Sequence, residues 1–262
     1  MFLERIDPER SGRFAFLAYD QGLEHGPEDF RSNPPSRSPA FILELAKFGY
    51  NAVVFQQGTA LATRELCREV PRLIKLNGKA NLSKGEPYSP LLCPVDYAVR
   101  ELGARAVGYT LYPGSEHDAV MMREFAGVVR EARDHGVPVI AWVYPRGKAV
   151  AKDTAPEVVA YAARIAFELG ADIAKVKWTG DVESFRWVCQ AAAETKVVLS
   201  GGVKTENPAD FLAVVTGVIE AGGAGVAVGR NVWQRPREEA HAISKDILKI
   251  VGNRGVGEKQ PR

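Results

Sequence analysis

Two lysines separated by one residue, Lys175 and Lys177 in the run IAKVKWTGD (173–181), are the residues that most need a chemical explanation. On a strand, side chains two apart point to the same face. Two ammonium groups are then set side by side, which is unfavourable unless that face is solvent or the floor of a reactive site. Inward lysines lower each other's pKa by like charge, and desolvation lowers it further. A lysine brought from ~10.4 towards ~7–8 has enough free amine to attack a carbonyl and form a Schiff base. Tyr144 in WVYPRGK (142–148) and Asp20 in YDQGLEHGP (19–27) are the matching candidates for proton transfer. Each alone has a plainer explanation: a solvated strand face for the lysines, rim packing for Tyr144, a turn-former before Gly22 for Asp20. The combination favours chemistry.

Two glycine loops, LSGGVK (199–204) and AVGRNVW (227–233), suit a phosphate. Backbone N–H groups approach an anion closely where Cβ is absent, and a helix N-terminus adds favourable partial charge. Tight turns are the alternative. The PRGK segment adds Arg146 and Lys148, which can hold a second phosphate, with His25 reaching in from another loop. A metal-held enolate needs several convergent ligands. The four histidines, His25, His117, His135 and His241, show no HxxxH or HExxH spacing, so no metal and no other cofactor is expected.

Such residues need a frame. Eight β-rich runs, at 13–20, 51–56, 72–77, 105–112, 137–144, 172–178, 196–202 and 223–230, alternate with segments of helical periodicity. The segment QGTALATRELCREV (57–70) is the weakest helix candidate. Strict alternation implies parallel strands with helical crossovers, and eight units in about 250 residues is the size of a TIM (β/α)8 barrel. A doubly wound sheet is the alternative, but no GxGxxG or Walker-type loop follows the first strand. The expected organisation is one barrel domain over 1–252 and a disordered tail over 253–262. In a barrel, strands have no solvated face, so the lysine pair points to the mouth or snorkels between helices.

Composition limits the partners. Of 262 residues 46% are hydrophobic and 25% charged, with a net charge of +2 and interspersed signs, so no nucleic-acid surface is expected. Three widely spaced cysteines, Cys67, Cys93 and Cys189, suit a reducing compartment. The opening MFLERIDPERSGR has no secretory h-region and no apolar run approaches a membrane span. A cytoplasmic protein without membrane partners is the expectation.

The chain resembles the archaeal-type class I fructose-1,6-bisphosphate aldolases. The stretches that carry the likeness run from LAYDQGLEHGP to VGRNVWQR and include VGYTLYPGS, WVYPRG, TAPEVVAYAARIAFELGAD, KVKWTGD and LSGGVKT. The resemblance implies a metal-free TIM barrel that reversibly cleaves fructose 1,6-bisphosphate to dihydroxyacetone phosphate and glyceraldehyde 3-phosphate, in a homo-oligomer. It implies Lys175 as the Schiff-base lysine, Tyr144 as acid/base, Asp20 as the first-strand carboxylate and Trp142 as pocket lining. It places the one-phosphate against Ser200, Gly201, Gly202, Gly229 and Arg230, and the six-phosphate nearer His25 and Arg146. Gln21 stands where the family often has histidine, and either can hydrogen-bond a sugar hydroxyl. Within this reading Lys177, nearer the rim, keeps its charge, holds Lys175 neutral and acts on substrate phosphate. The base for the C4 hydroxyl is Asp20 or Tyr144. Other readings are a related lysine aldolase or transferase for another phosphorylated keto sugar, a phosphate-binding isomerase or synthase barrel, or a non-catalytic sugar-phosphate sensor.

Overall fold

A computed structural model describes residues 2–66 and 69–252. Eight strands are present: β1 (Phe14–Ala18), β2 (Ala52–Gln56), β3 (Arg72–Lys75), β4 (Ala104–Leu111), β5 (Val139–Val143), β6 (Ile173–Val176), β7 (Lys196–Ser200) and β8 (Gly225–Val228). They pair in parallel in sequence order, and β8 closes on β1. The helices are α1 (Gly22–His25), α2 (Pro39–Ala46), α3 (Gln57–Ala62), α4 (Val95–Arg100), α5 (Asp118–Asp134), α6 (Pro156–Glu168), α7 (Val182–Ala191), α8 (Pro208–Glu220), α9 (Arg230–Trp233) and α10 (Arg237–Val251). The expected TIM barrel is therefore found. The tail expected at 253–262, like Cys67, lies outside the described residues.

The strands are short because each is buried on both faces and ends where polar residues begin. One face packs inside the barrel, through Phe14, Phe16, Ala52, Val54, Leu73, Ala106, Ile140, Ile173 and Val198. The alternate residues, among them Leu17, Val53, Ile74, Val107 and Val176, pack under the helices. Followed towards the C-terminal end, four of the inner rows turn polar: Ile173 gives way to Lys175, Leu73 to Lys75, Val54 to Gln56, and Val198 to Ser200. The barrel's lower half is thus an apolar plug, and its upper mouth holds the reactive groups, as the fold requires.

Helix starts follow local chemistry. The side chains of Ser38, Asp181 and Asn207 cap α2, α7 and α8 by accepting backbone N–H groups, and Pro opens α2, α6 and α8. α3 is shorter than the segment offered for it. α10 goes beyond the sequence expectations: its charged surface surrounds a buried row of Ala240, Ile243, Ile247, Leu248 and Val251. Tyr50 donates to Ser244 on this helix (3.0 Å), fixing it beside the start of β2. No helix among the described residues is long and apolar enough to cross a membrane.

Candidate active site

The mouth of the barrel opens into a cavity of about 530 Å³. Its floor is Trp142. The indole lies across β4 because Gly108 has no side chain: a Cβ there would sit 2.1 Å from Cζ3 of the ring. Lys175, one strand over in register with Trp142, reaches to 4.9 Å from the ring centre, and Lys75 on β3 reaches the same ring at 5.5 Å. Both lysines are buried, and burial lowers each to a pKa of about 8, against the charge of Asp20, which holds both up. At neutral pH such an amine carries a far larger neutral fraction than a surface lysine. Asp20 follows β1 and lines the same cavity.

Tyr144, just past β5, has its hydroxyl 3.0 Å from Ser200 Oγ at the end of β7. Burial drives its pKa well above that of an ordinary phenol, so it stays a proton donor across the physiological range. Lys177 lies one residue beyond β6 and also lines the cavity, as the spacing predicts. Its role differs from the expectation. The ammonium is paired with Asp153, and the like charge that bears on Lys175 comes from Arg230 instead. The strand ends at Val176, so the chain at Lys177 already follows the loop towards Asp153.

The two glycine loops meet beside Ser200, and their glycines serve different ends. Gly201 gives its N–H to the Ala227 carbonyl (3.0 Å). A Cβ on it would fall 2.9 Å from Val228 Cα, and one on Gly229 would fall 2.6 Å from the Ala18 carbonyl oxygen. These glycines let neighbouring backbones close up, and the N–H of Gly201 is not free for an anion. Gly202 is different: it takes a left-handed φ of +65° with open space around it. The N–H groups of Gly202, Val203, Arg230 and Asn231 have no acceptor among the described residues. Asn231 shapes this loop. Its amide donates to the Gly201 and Val203 carbonyls (2.8 Å each) and accepts from Thr205 N–H at 2.9 Å. Buried Arg235 adds a bond from Nη2 to the Thr205 carbonyl at 2.9 Å.

Across the mouth, Arg146 donates to Glu24 (2.9 Å) and lies over Tyr112 and Tyr144. Burial pushes Glu24 up, but the Arg146 charge and hydrogen bond bring its pKa below the usual carboxylate value. His25 Nδ1 is 2.8 Å from Asp29, whose other oxygen is 3.9 Å from Arg230. Gln21 and Trp142 each present a buried side-chain nitrogen, Nε2 and Nε1, without a hydrogen-bond partner, and both residues line the cavity. Such donors suit the hydroxyls of a bound polyol.

Of the residues singled out from sequence, only Lys148 is left out of the cavity. It is exposed on the rim and paired with Glu116 at 2.9 Å, because Gly147 turns the chain away and Glu86 holds the Lys148 N–H at 3.1 Å. Lys75, at a strand end, and Glu24 and Asn231, within the loops singled out, were given no role of their own from the sequence. Lys75 sits two before Asn77 at the end of β3, a strand-end signal of the same kind as that of Lys175. Among the described residues, no group of three His, Cys, Asp or Glu side chains is arranged to hold a metal ion.

The DeoC/LacD aldolase family matches residues 14–235. The class 1 fructose-bisphosphate aldolase of Thermoproteus tenax is 52% identical over 243 residues, covering 92% of this chain and 90% of that protein. The class 1 enzyme of Halobacterium salinarum is 47% identical, covering 88% of each. Among solved structures, an archaeal fructose-1,6-bisphosphate aldolase whose catalytic lysine is covalently bound to the carbinolamine intermediate of its substrate superposes with a TM-score of 0.90. It is 48% identical, with 95% of this chain and 98% of that one covered. A fructose-bisphosphate aldolase from Slackia heliotrinireducens gives a TM-score of 0.89 at 33% identity, with 95% and 84% covered.

Proposed function

Since this chain belongs to the DeoC/LacD family of aldolases, we infer that it is a class I, Schiff-base fructose-bisphosphate aldolase, reversibly cleaving fructose 1,6-bisphosphate to dihydroxyacetone phosphate and glyceraldehyde 3-phosphate. The observation that carries this reading is the buried lysine Lys175, held at a pKa of about 8 at the mouth of the barrel beside Asp20 and Tyr144.

The proposed roles follow from protonation. Neutral Lys175 attacks the C2 ketone and forms a carbinolamine. Tyr144, kept protonated by burial, donates as the C2 hydroxyl leaves as water, giving the iminium. Asp20 takes the C4 hydroxyl proton as C3–C4 breaks, and the electron pair of that bond passes into the iminium to form an enamine. The proton that Asp20 took passes back to Tyr144, which then protonates the enamine carbon. Water adds to the resulting iminium and returns a proton to Tyr144, and collapse of the carbinolamine releases dihydroxyacetone phosphate and free Lys175. The unpaired N–H groups around Gly202 and Arg230, with Ser200, are proposed to hold the one-phosphate. Arg146 and His25 would hold the six-phosphate, and Gln21 and Trp142 would donate to sugar hydroxyls. Glycolytic or gluconeogenic use, a cytoplasmic location and a homo-oligomeric state belong to the same proposal. The free thiols of Cys93 and Cys189 support a reducing compartment.

The test is borohydride reduction with dihydroxyacetone phosphate, followed by peptide mapping. Label is expected on Lys175, and cleavage of fructose 1,6-bisphosphate should persist in excess EDTA. Label on Lys177, or on neither, overturns the assignment. Activity lost to the chelator and restored by zinc overturns the Schiff-base mechanism.

A further inference from the structure

A phosphate monoester carries roughly two negative charges at neutral pH, yet most cations of the cavity already face a carboxylate. Arg146 donates to Glu24 at 2.9 Å, and His25 lies 2.8 Å from Asp29. Asp29 also reaches Arg230 at 3.9 Å, and Lys177 is paired with Asp153. The charge of Asp20 bears on both buried lysines, Lys175 and Lys75. Lys79 is the cation of the cavity wall left over. Its Nζ donates to Asn81 Oδ1, a neutral oxygen, and among the described residues no carboxylate is within ion-pair reach of it.

The loop that carries Lys79 follows β3 and is fixed against α1. Gly78 is buried under Leu23, and a Cβ on it would sit 2.4 Å from Leu23 Cδ2. Its N–H donates to the Pro90 carbonyl at 3.3 Å, and the N–H of Asn81 donates to the Glu24 carbonyl at 3.2 Å. The half-buried Lys79 is thus held against the short helix that carries Leu23, Glu24 and His25. That is the side of the mouth where Arg146 meets Glu24, the end assigned above to the second phosphate.

Arg146 offers an anion hydrogen bonds but little net charge, because the carboxylate beside it repels what the guanidinium attracts. Burial pushes Glu24 up and Arg146 brings it below the usual carboxylate range, so that carboxylate is ionised at neutral pH. The pairing of His25 with Asp29 has the same effect. An ammonium held by an amide oxygen can exchange that neutral partner for a phosphate oxygen and leave no carboxylate unpaired. We propose that Lys79 is the specificity-determining residue for the second phosphate: its ammonium supplies the unmatched charge that selects a ketose phosphorylated at C6, or an aldehyde phosphorylated at C3, over the same molecule with a free hydroxyl. The proposal deepens the aldolase reading and rests on it.

The condensation direction varies that phosphate alone. Dihydroxyacetone phosphate is held saturating, and the acceptor is glyceraldehyde 3-phosphate or glyceraldehyde. Wild type, Lys79→Met, Lys79→Arg and Lys148→Ala are compared in kcat, KM and thermal unfolding. Lys79→Met should raise KM for glyceraldehyde 3-phosphate roughly tenfold, the scale of one charge-assisted hydrogen bond, with kcat and the constants for glyceraldehyde little changed. Lys79→Arg keeps the charge and should recover most of the loss. Lys148→Ala removes a cation already paired with Glu116 on the outer rim and should affect neither acceptor. Equal losses on the two acceptors, or no loss on the phosphorylated one, overturn the proposal. So does a loss in Lys148→Ala equal to that in Lys79→Met, since that marks general surface charge. Borohydride labelling with dihydroxyacetone phosphate keeps the two levels apart. Wild type labelled at Lys175, with acceptor preference intact in Lys79→Met, refutes the role of Lys79 alone. Wild type with neither label nor condensation refutes the aldolase reading, and the proposal with it.

Discussion

Lys175→Met is expected to stabilise the protein while removing its nucleophile. Burial holds Lys175 at a pKa of about 8, against 10.5 for a free lysine. The folded chain therefore binds this proton less readily than the unfolded chain. The resulting penalty is absent above 10.5, grows as pH falls through the window between 10.5 and 8, and is complete below 8. Each tenfold loss of proton affinity costs ~1.4 kcal/mol, so the full penalty is about 3 kcal/mol. Methionine fills nearly the same length of chain and carries no charge, so it escapes the penalty. It forfeits the contact of the ammonium with the Trp142 ring at 4.9 Å, worth ~1–2 kcal/mol in a desolvated place. The net gain is ~1–2 kcal/mol at pH 7, a rise in Tm of about 2–8 °C for a chain of this size. The assay is thermal unfolding of both proteins from pH 7 to 10.5. The Tm difference should be largest at neutral pH and should vanish or reverse at the top of the range. A variant no more stable than wild type at pH 7, or a difference that ignores pH, would refute the reasoning.

Three further outcomes are expected. Tyr144→Phe should lower turnover by roughly 10²–10⁴-fold, the usual cost of losing a general acid, yet still be labelled at Lys175. Near wild-type turnover would give the proton to Asp20 or water. Asn231→Ala should free the loop at 201–205 and raise KM for the bisphosphate roughly tenfold, the scale of losing buried hydrogen bonds, with little change in kcat. An equal loss with an unphosphorylated aldehyde acceptor in the reverse reaction would mean that the loop has no part in phosphate binding. Lys148→Ala should leave steady-state constants unchanged, since the side chain is on the rim with Glu116, and a raised KM would restore it to the site.

The barrel was legible because its signals are local. Alternating strand and helix periods, Pro at helix starts and polar residues at strand ends each occupy a few neighbouring positions, and each is independent of how the sheet closes. The same locality hid α10. Its buried row of Ala240, Ile243, Ile247 and Leu248 is interrupted by Lys245 and Asp246 and flanked by Arg237, Glu238, Glu239 and Lys249, and no β-rich run follows it in the sequence to mark it as a crossover. It also left the individual glycines of the two loops undistinguished. Sequence shows that Gly201 and Gly229 lack a Cβ, but not that the space belongs to Val228 and to the Ala18 carbonyl.

The lysines show where such reading stops. A period of two correctly puts Lys175 and Lys177 at one mouth, yet which charge acts on which depends on distances around the barrel rather than along the strand. Lys177 meets Asp153 because the loop after β5 comes past it. Lys75 meets the Trp142 ring because Gly108, on a third strand, has nothing to put in the way. Closure turns a strand-by-strand pattern into a ring of neighbours, and only the ring shows that Lys175 shares the Trp142 indole with an amine from β3. The glycine is therefore as much a condition of the chemistry as the lysines: with any side chain at position 108 the indole could not lie where both ammonium groups reach it.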